Sequence, residues 1–258
     1  MIVVTLAPIG KHAIVIGSGI GGFAAAAAVA KLLSCDRVRS GRVDHAPDRR
    51  AYAGFRSGEA DQNLSQRAGA LFRMTGKILV LTAIDDELDK ARAPEGVEVI
   101  YSGVGKVNAA SAATLALLEL RPSLIINYGT AGKICEKLRG LVEVAHVVQR
   151  DMMAMPLAPR GCTPLSPSLD RLSSGYGDVT CGTGDSFVTS SDPWLNENNI
   201  DIVDMELFAI AHVCQRHSVR WRALKFITDD ANDFAAEHWT ANVADGQKLF
   251  WDAMKKLT

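Results

Sequence analysis

The sequence predicts an α/β fold, in which helices flank a mixed, largely parallel central sheet, preceded by an N-terminal extension. The chain has 258 residues, of which 48% are hydrophobic and 22% charged, a composition typical of a globular protein with a sizeable core. After residue 74, apolar runs of strand length alternate with helical stretches, which favours parallel strand pairing. Acidic and glycine-rich segments follow several of these strands, at the sheet edge where α/β folds bind their ligands.

The regular part of the chain is predicted to contain six strands and two helices. The apolar runs predicted as strands are 77–83, 97–101, 124–128, 142–149, 202–204 and 222–228. The stretches 107–120 and 205–217 have the length and pattern of helices. The first helix follows a glycine-rich turn and ends before Pro122, because proline cannot continue a helix.

A change in charge near residue 74 divides the chain into two parts. Residues 1–73 carry ten basic and five acidic side chains, whereas residues 74–258 carry 18 basic and 24 acidic ones. We therefore expect 1–73 to be an extension that is disordered or not native to the domain. Residues 74–258 are expected to form the functional domain, with Met74 as a candidate start.

The segment 12–36 of the extension resembles the beginning of a flavin-binding Rossmann unit. An apolar strand precedes Gly17-x-Gly19-x-x-Gly22 and an alanine-rich helix, an arrangement in which backbone amides bind a pyrophosphate. The unit is truncated, because residues 37–73 contain no second strand ending in the acidic residue that holds the ribose. A secretory signal is another interpretation of the same apolar run. A working site here would make the chain a dinucleotide-binding oxidoreductase.

Charge and cysteine content exclude several classes of function. The formal net charge is −1 at pH 7, which gives no reason to expect nucleic acid or an anionic membrane as a partner. The five cysteines are odd in number and form no C-x-x-C pair, which argues against a disulfide framework or a zinc site. We therefore expect a reduced, cytoplasmic protein that binds a small molecule and needs no metal and no cofactor.

Side chains at the ends of the predicted strands form a candidate active site. Glu87 follows the first strand, residues 129–132 follow the third, and Glu206 and Asp229 follow the last two. Since such ends meet at one edge of a parallel sheet, we expect these groups to share a cleft. Asp229 ends an apolar strand, where a carboxyl group is poorly solvated and suits a proton donor, although an N-cap for the next helix is an alternative role.

Six segments, taken together and in order, resemble the purine nucleoside phosphorylase and nucleosidase superfamily, especially its 5′-methylthioadenosine/S-adenosylhomocysteine nucleosidases. They are 82–87 (TAIDDE), 102–110 (SGVGKVNAA), 125–132 (IINYGTAG), 183–187 (TGDSF), 203–206 (VDME) and 226–229 (FITD). The resemblance implies an enzyme that hydrolyses the N-glycosidic bond of a purine nucleoside and releases adenine. It also implies a homodimer, in which the partner helps to wall the 5′ side of the nucleoside.

The resemblance implies a role for each matching site residue. Glu87 would activate the attacking water, and Asp229 would protonate the purine. Phe187 would stack on the purine, while Met205 and Glu206 would hold the ribose, although Phe187 and Met205 taken singly are more typical of a core. The other substrate-binding positions are Thr130, Ala131, Gly132 and Val188.

Water, rather than phosphate, is the expected nucleophile. The loop 85–87 carries three carboxylates, which repel a phosphate dianion, and the sequence places no arginine near it. Lys106 and Lys133 keep a phosphate-dependent purine nucleoside phosphorylase open as an alternative. The shortness of segment 141–181 leaves the 5′ substituent of the substrate undetermined.

Overall fold

The computed structural model describes residues 76–166, 168–232 and 235–256. The predicted extension 1–73, with its Gly17-x-Gly19-x-x-Gly22 segment, lies outside the described residues, as does Met74.

The described residues form eight strands, five α-helices and one short 3₁₀ turn. The strands are β1 (Ile78–Thr82), β2 (Val97–Tyr101), β3 (Leu124–Lys133), β4 (Leu141–Gln149), β5 (Arg171–Ser173), β6 (Val179–Thr183), β7 (Ile202–Asp204) and β8 (Arg220–Asp229). The helices are α1 (Lys106–Leu120), α2 (Pro193–Glu197), α3 (Leu207–Arg216), α4 (Ala235–Asn242) and α5 (Gln247–Met254), and the 3₁₀ turn is Lys90–Arg92. All six predicted strands and both predicted helices are therefore present.

The eight strands belong to one mixed sheet, part of which closes on itself. Going round the closed part, β3 pairs with β8, β8 with β4, β4 with β6, β6 with β7, and β7 with β3. Strands β1 and β2 extend from β3, and β5 pairs with β4. Five of these pairings are parallel, and β3–β7, β4–β5 and β4–β8 are antiparallel. The predicted mixed, largely parallel sheet is thus confirmed.

Helices cover the sheet from two sides, and the alternation of side chains along β1 shows how. Leu79 and Leu81 point into the core shared with α1 and α3, whereas Val80 points into the core shared with α5. In the second core the rings of Tyr128 and Phe250 lie 4.3 Å apart. Because β1 is buried on both faces, its apolar run is continuous rather than alternating with polar residues.

Two elements differ from their predicted bounds in a way that matters for the site. Strand β3 continues past Tyr128 to Lys133, so residues 129–132 are part of a strand rather than a turn after it. Helix α3 begins at Leu207, not at residue 205. The Asp204 carboxylate accepts a hydrogen bond from the Leu207 amide at 2.9 Å, which favours this start.

Strands β5 and β6 and helices α2, α4 and α5 were not predicted. β6 reads VTCGT, which is short, contains glycine and has no alternation because all five of its residues are buried. Among the described residues, none of the helices is both long and apolar enough to cross a bilayer.

Candidate active site

A cavity of about 210 Å³ lies where the carboxyl ends of β1, β3, β6, β7 and β8 come together. All nine residues that the sequence analysis assigns to catalysis or substrate binding line it. The cavity wall also contains residues that the analysis missed, of which Arg150, Ser186, Asp204 and Trp239 carry polar side-chain groups. The strand ends therefore converge as expected for a ligand site in an α/β fold.

The carboxylate of Glu87 is buried and held by four hydrogen bonds. Its Oε2 accepts from the Thr82 hydroxyl at 2.8 Å and from the Ala83 amide at 3.0 Å. Its Oε1 accepts from the amide and the hydroxyl of Thr130, at 2.9 and 2.8 Å. With two donors on each oxygen, the carboxylate is fixed in direction as well as in position.

Glu87 is the one carboxylate of the loop 85–87 that faces the cavity. Asp85 and Asp86 are exposed to solvent and do not line it. Of the three carboxylates expected to repel phosphate at this point, only Glu87 therefore lines the cavity, while Asp85 and Asp86 face solvent.

Asp229 is the last residue of β8. It is far from Glu87 in the sequence, but both side chains line the same cavity. Its Oδ1 accepts a hydrogen bond from the Ala231 amide at 2.9 Å, and its Oδ2 accepts one from the Thr228 hydroxyl at 2.9 Å. The alternative role as an N-cap is wrong, because α4 does not begin until Ala235. Gly132 is required beside it, since a Cβ there would lie 2.6 Å from Asp229 Oδ1.

Glu206 lies in the loop between β7 and α3, with Met205 beside it in the cavity wall. Its Oε1 accepts a hydrogen bond from the Gly105 amide at 2.8 Å. Burial, together with the nearby Asp204 carboxylate, raises the pKa of Glu206 to about 7. This carboxyl group therefore changes its charge near neutral pH.

A buried ion pair supports this side of the cavity. The ammonium of Lys225 lies 2.7 Å from Asp204 Oδ2, and the two side chains are 1% and 0% exposed. Burial alone would raise the pKa of Asp204, but Lys225 and hydrogen bonds bring it below its ordinary value. Burial alone would lower the pKa of Lys225, but Asp204 and Glu206 raise it above its ordinary value. Both groups are therefore charged.

The loop after β6 carries Phe187 and Val188 at the cavity wall. Phe187 is 49% exposed, so it is not a core residue. Arg150, which is buried, donates to the carbonyl oxygens of Gly184 and Ser186 and so fixes the path of this loop. An arginine therefore does lie in the cavity wall, contrary to the sequence expectation, but its guanidinium is directed to backbone carbonyls.

The lysines considered as phosphate ligands are paired with aspartates. Lys106 Nζ lies 2.5 Å from Asp151 and 3.6 Å from Asp185, and Lys133 Nζ lies 2.7 Å from Asp230. Lys106 does not line the cavity, and neither does Lys133. Within the described ranges, no group of three or more histidine, cysteine, aspartate or glutamate side chains is arranged to hold a metal ion.

Comparisons with known proteins agree with this geometry. The family model described as Phosphorylase superfamily matches residues 94–257. The 5′-methylthioadenosine/S-adenosylhomocysteine nucleosidase of Lysinibacillus sphaericus is 26% identical over 201 residues, which cover 60% of this chain and 86% of that protein. The nucleosidase of the same name from Staphylococcus haemolyticus is 29% identical over 188 residues, covering 62% and 82%.

Solved structures with this fold include a Helicobacter pylori MTAN mutant with 5′-methylthioadenosine in its active site. It superposes with a TM-score of 0.64 at 21% identity and covers 72% of this chain and 100% of that chain. The futalosine hydrolase of the same organism has a TM-score of 0.63 at 22% identity, with coverages of 71% and 99%. These two likenesses show that the fold is shared.

Proposed function

Because the chain belongs to the phosphorylase superfamily, we propose that it is a nucleosidase that hydrolyses the N-glycosidic bond of 5′-methylthioadenosine or S-adenosylhomocysteine and releases adenine. The observation that carries this proposal is the convergence of three buried acidic side chains, Glu87, Glu206 and Asp229, on one cavity. The relatives named above are nucleosidases for these compounds, which supports water as the nucleophile.

Asp229 is the proposed general acid. A purine anion is a poor leaving group, so cleavage of the glycosidic bond is faster when the base is protonated as the bond breaks. A buried carboxylic acid beside the purine supplies that proton. The contacts that Asp229 makes with Ala231 and Thr228 leave its side chain in the cavity wall, where it can reach a bound base.

Glu87 is the proposed general base. As the bond to the purine breaks, positive charge develops on the sugar, and water attacks C1′. The four hydrogen bonds to Glu87 hold its carboxylate in position and direction before the water arrives, so little reorganisation is needed in the transition state.

Glu206 is the proposed acceptor for the ribose hydroxyls, and Met205 is the proposed floor under the sugar. An ionised Glu206 can accept hydrogen bonds from two hydroxyls, which orients the ring for attack. Phe187 is proposed to stack on the purine, since it lines the cavity and about half of it is exposed. Val188 would extend the purine wall, and Thr130, Ala131 and Gly132 would complete the side towards Glu87 and Asp229.

Adenine release tests this function. The full-length protein is incubated without phosphate with 5′-methylthioadenosine, S-adenosylhomocysteine and 5′-deoxyadenosine, and free adenine is measured by chromatography. We expect phosphate-independent release, and we expect Asp229→Asn and Glu87→Gln to lower kcat by about 10²- to 10⁴-fold. Asp230→Asn and Asp86→Asn are matched controls at exposed neighbours and should retain activity. A strict requirement for phosphate would make the protein a phosphorylase instead.

The same assay tests whether residues 74–258 are sufficient. We propose that they carry the activity, because the six matching segments and every residue of the cavity wall lie within them. A chain that starts at Met74 should have the kcat of the full-length protein. Loss of activity on this truncation would assign a functional part to residues 1–73.

We also propose a homodimer. Support comes from apolar side chains exposed on α1 and on the loops after β4: Val107 is 80% exposed, Met155 73%, Leu157 76% and Leu165 95%. Large apolar side chains that are exposed to solvent are typical of a surface that a partner covers. Light scattering after size exclusion should give twice the mass of the chain, and Val107→Glu should reduce it to the monomer. A monomeric wild-type protein at micromolar concentration would refute the dimer.

A further inference from the structure

The indole of Trp239 begins a chain of hydrogen bonds that ends on Glu87. Trp239 Nε1 donates to the Thr130 hydroxyl oxygen at 2.8 Å, and the Thr130 hydroxyl donates to Glu87 Oε1 at 2.8 Å. Trp239 and Thr130 both line the cavity beside Glu87. The chain connects helix α4 to the strand β3 and to the carboxylate proposed as general base.

Chemistry fixes the direction of this chain. An indole N–H can only donate, so the Thr130 oxygen must accept from it. The single hydrogen of that hydroxyl is then free to point to Glu87, and an ionised carboxylate can only accept. Trp239 therefore holds the Thr130 hydroxyl as a donor to Glu87.

The Thr130 hydroxyl is the one donor to Glu87 that can be redirected towards the cavity. Two of the four donors are the backbone amides of Ala83 and Thr130, whose directions are fixed. The third, the Thr82 hydroxyl, is completely buried and does not line the cavity. Without the indole, the Thr130 hydroxyl could turn and donate to a water in the cavity.

Such a turn would work against hydrolysis. The attacking water must give its hydrogen to Glu87 and direct a lone pair to C1′. A hydrogen bond donated by Thr130 to that water would occupy a lone pair and compete with the attack. We propose that Trp239 is a positioning residue for the hydrolysis, which keeps the Thr130 hydroxyl directed at Glu87 and away from the nucleophilic water; this rests on the function proposed above.

The same helix is also fastened to the strand that carries Asp229. Asn242 Nδ2, at the end of α4, donates to the Thr228 carbonyl at 2.9 Å. Helix α4 thus contacts β8, the strand of the proposed acid Asp229, through Asn242. Through Trp239 and Thr130 it is also connected to the proposed base Glu87. Trp251 provides a contrast, since its indole N–H is buried without a hydrogen-bond partner among the described residues.

Kinetics of Trp239→Phe test the proposal, because phenylalanine keeps an aromatic ring in the wall and lacks the donor. Loss of one neutral hydrogen bond predicts a kcat about threefold to tenfold lower, with KM changed by less than about twofold. Trp251→Phe, which removes an indole N–H that has no partner, should leave kcat unchanged. Since Trp239 acts through Thr130, the double variant Trp239→Phe/Thr130→Val should have the kcat of Thr130→Val alone. Wild-type kcat in Trp239→Phe, or additive losses in the double variant, would overturn the proposal.

Nuclear magnetic resonance tests the chain independently of the enzymatic activity. The protein has four tryptophans, so ¹⁵N-labelled full-length protein gives few indole signals, and Trp239→Phe identifies one of them. The Trp239 signal should shift in Thr130→Val and in Glu87→Gln, and the Trp251 signal should not. An unchanged Trp239 signal would refute the chain even if adenine is released. A protein that shows the shifts but releases no adenine would refute the proposed function and leave the chain intact. If Trp239→Phe does not fold, Thr130→Val and Glu87→Gln decide, because one and the same indole signal should shift in both.

Discussion

The ion pair of Lys225 and Asp204 gives a sharp prediction for stability. The ammonium and the carboxylate are 2.7 Å apart and essentially inaccessible to water. Replacing Lys225 with methionine leaves a buried carboxylate without its cation, and replacing Asp204 with asparagine leaves a buried ammonium without its anion. Removal of one partner of a buried pair costs about 3–5 kcal/mol, far more than the pair itself contributes relative to apolar side chains.

For a domain of this size, a loss of about 1 kcal/mol lowers Tm by about 2–4 °C. Each single variant should therefore lower Tm by about 6–20 °C. The loss for Lys225→Met should lie towards the small end, because Asp204 keeps hydrogen bonds from the Leu207 amide and the Thr183 hydroxyl. In Asp204→Asn, the charge of Lys225 has no comparable set of partners. The double variant, which removes both charges, should be more stable than Asp204→Asn.

Urea unfolding followed by circular dichroism measures these differences. Asp252→Asn is the matched control, because Asp252 pairs with Lys255 at 2.9 Å but the two side chains are 50% and 74% exposed. Such a surface pair contributes little, so the control should not change the unfolding midpoint. The reasoning would be refuted if Asp204→Asn lowered the free energy of unfolding by less than about 1 kcal/mol. It would also be refuted if the loss in the double variant equalled the sum of the losses in the two single variants.

Four further predictions concern the cavity. Gly132→Ala should lower kcat at least tenfold, because the new Cβ would lie 2.6 Å from Asp229 Oδ1 and displace that carboxylate; unchanged kcat in an adenine-release assay would contradict this. Because the pKa of Glu206 is about 7, the KM of the wild type should fall as pH rises from 6 to 8, and Glu206→Gln should remove this dependence. Between pH 4.5, the ordinary pKa of a glutamate, and pH 7, Glu206 keeps its proton in the folded protein but loses it in the unfolded chain. The free energy of unfolding of the wild type should therefore fall as pH rises from about 4.5 to about 7. In Glu206→Gln the fall over the same pH range should be smaller. Lys225→Met should move the change in KM to higher pH, since the ammonium lowers the pKa of Glu206; a pH profile identical to that of the wild type would exclude this interaction.

The family and the fold could be predicted from the sequence because both leave local signals. Six short motifs in a fixed order indicate the family, and the match of the family model confirms the resemblance to the phosphorylase superfamily that they predict. The apolar runs locate the strands, and the acidic residues after them locate the cavity. Glu87 and Asp229 are recognisable since each lies at or shortly after the carboxyl end of a buried strand.

The parts that sequence analysis missed depend on contacts between distant segments. Lys225 stands within a strand among apolar residues, and only its partner Asp204, on another strand, explains it. Trp239 lies on a helix with little amphipathic pattern, and nothing in the sequence connects its indole to Thr130. The closure of the sheet could not be predicted either, because it requires β3 to run five residues beyond its apolar part to meet β7.

The closed ring of strands determines how a nucleoside could reach the cavity. Thr130, Gly132 and Asp229 lie on strands that are hydrogen-bonded on both sides, so this part of the wall cannot open without breaking sheet pairing. Backbone amides there should exchange with deuterium slowly, at the rate of global unfolding. The route for substrate and adenine must instead pass the loops that carry Val104 and Phe187. Faster deuterium exchange in those loops, and slower exchange when a ligand is bound, would identify the entrance to the cavity.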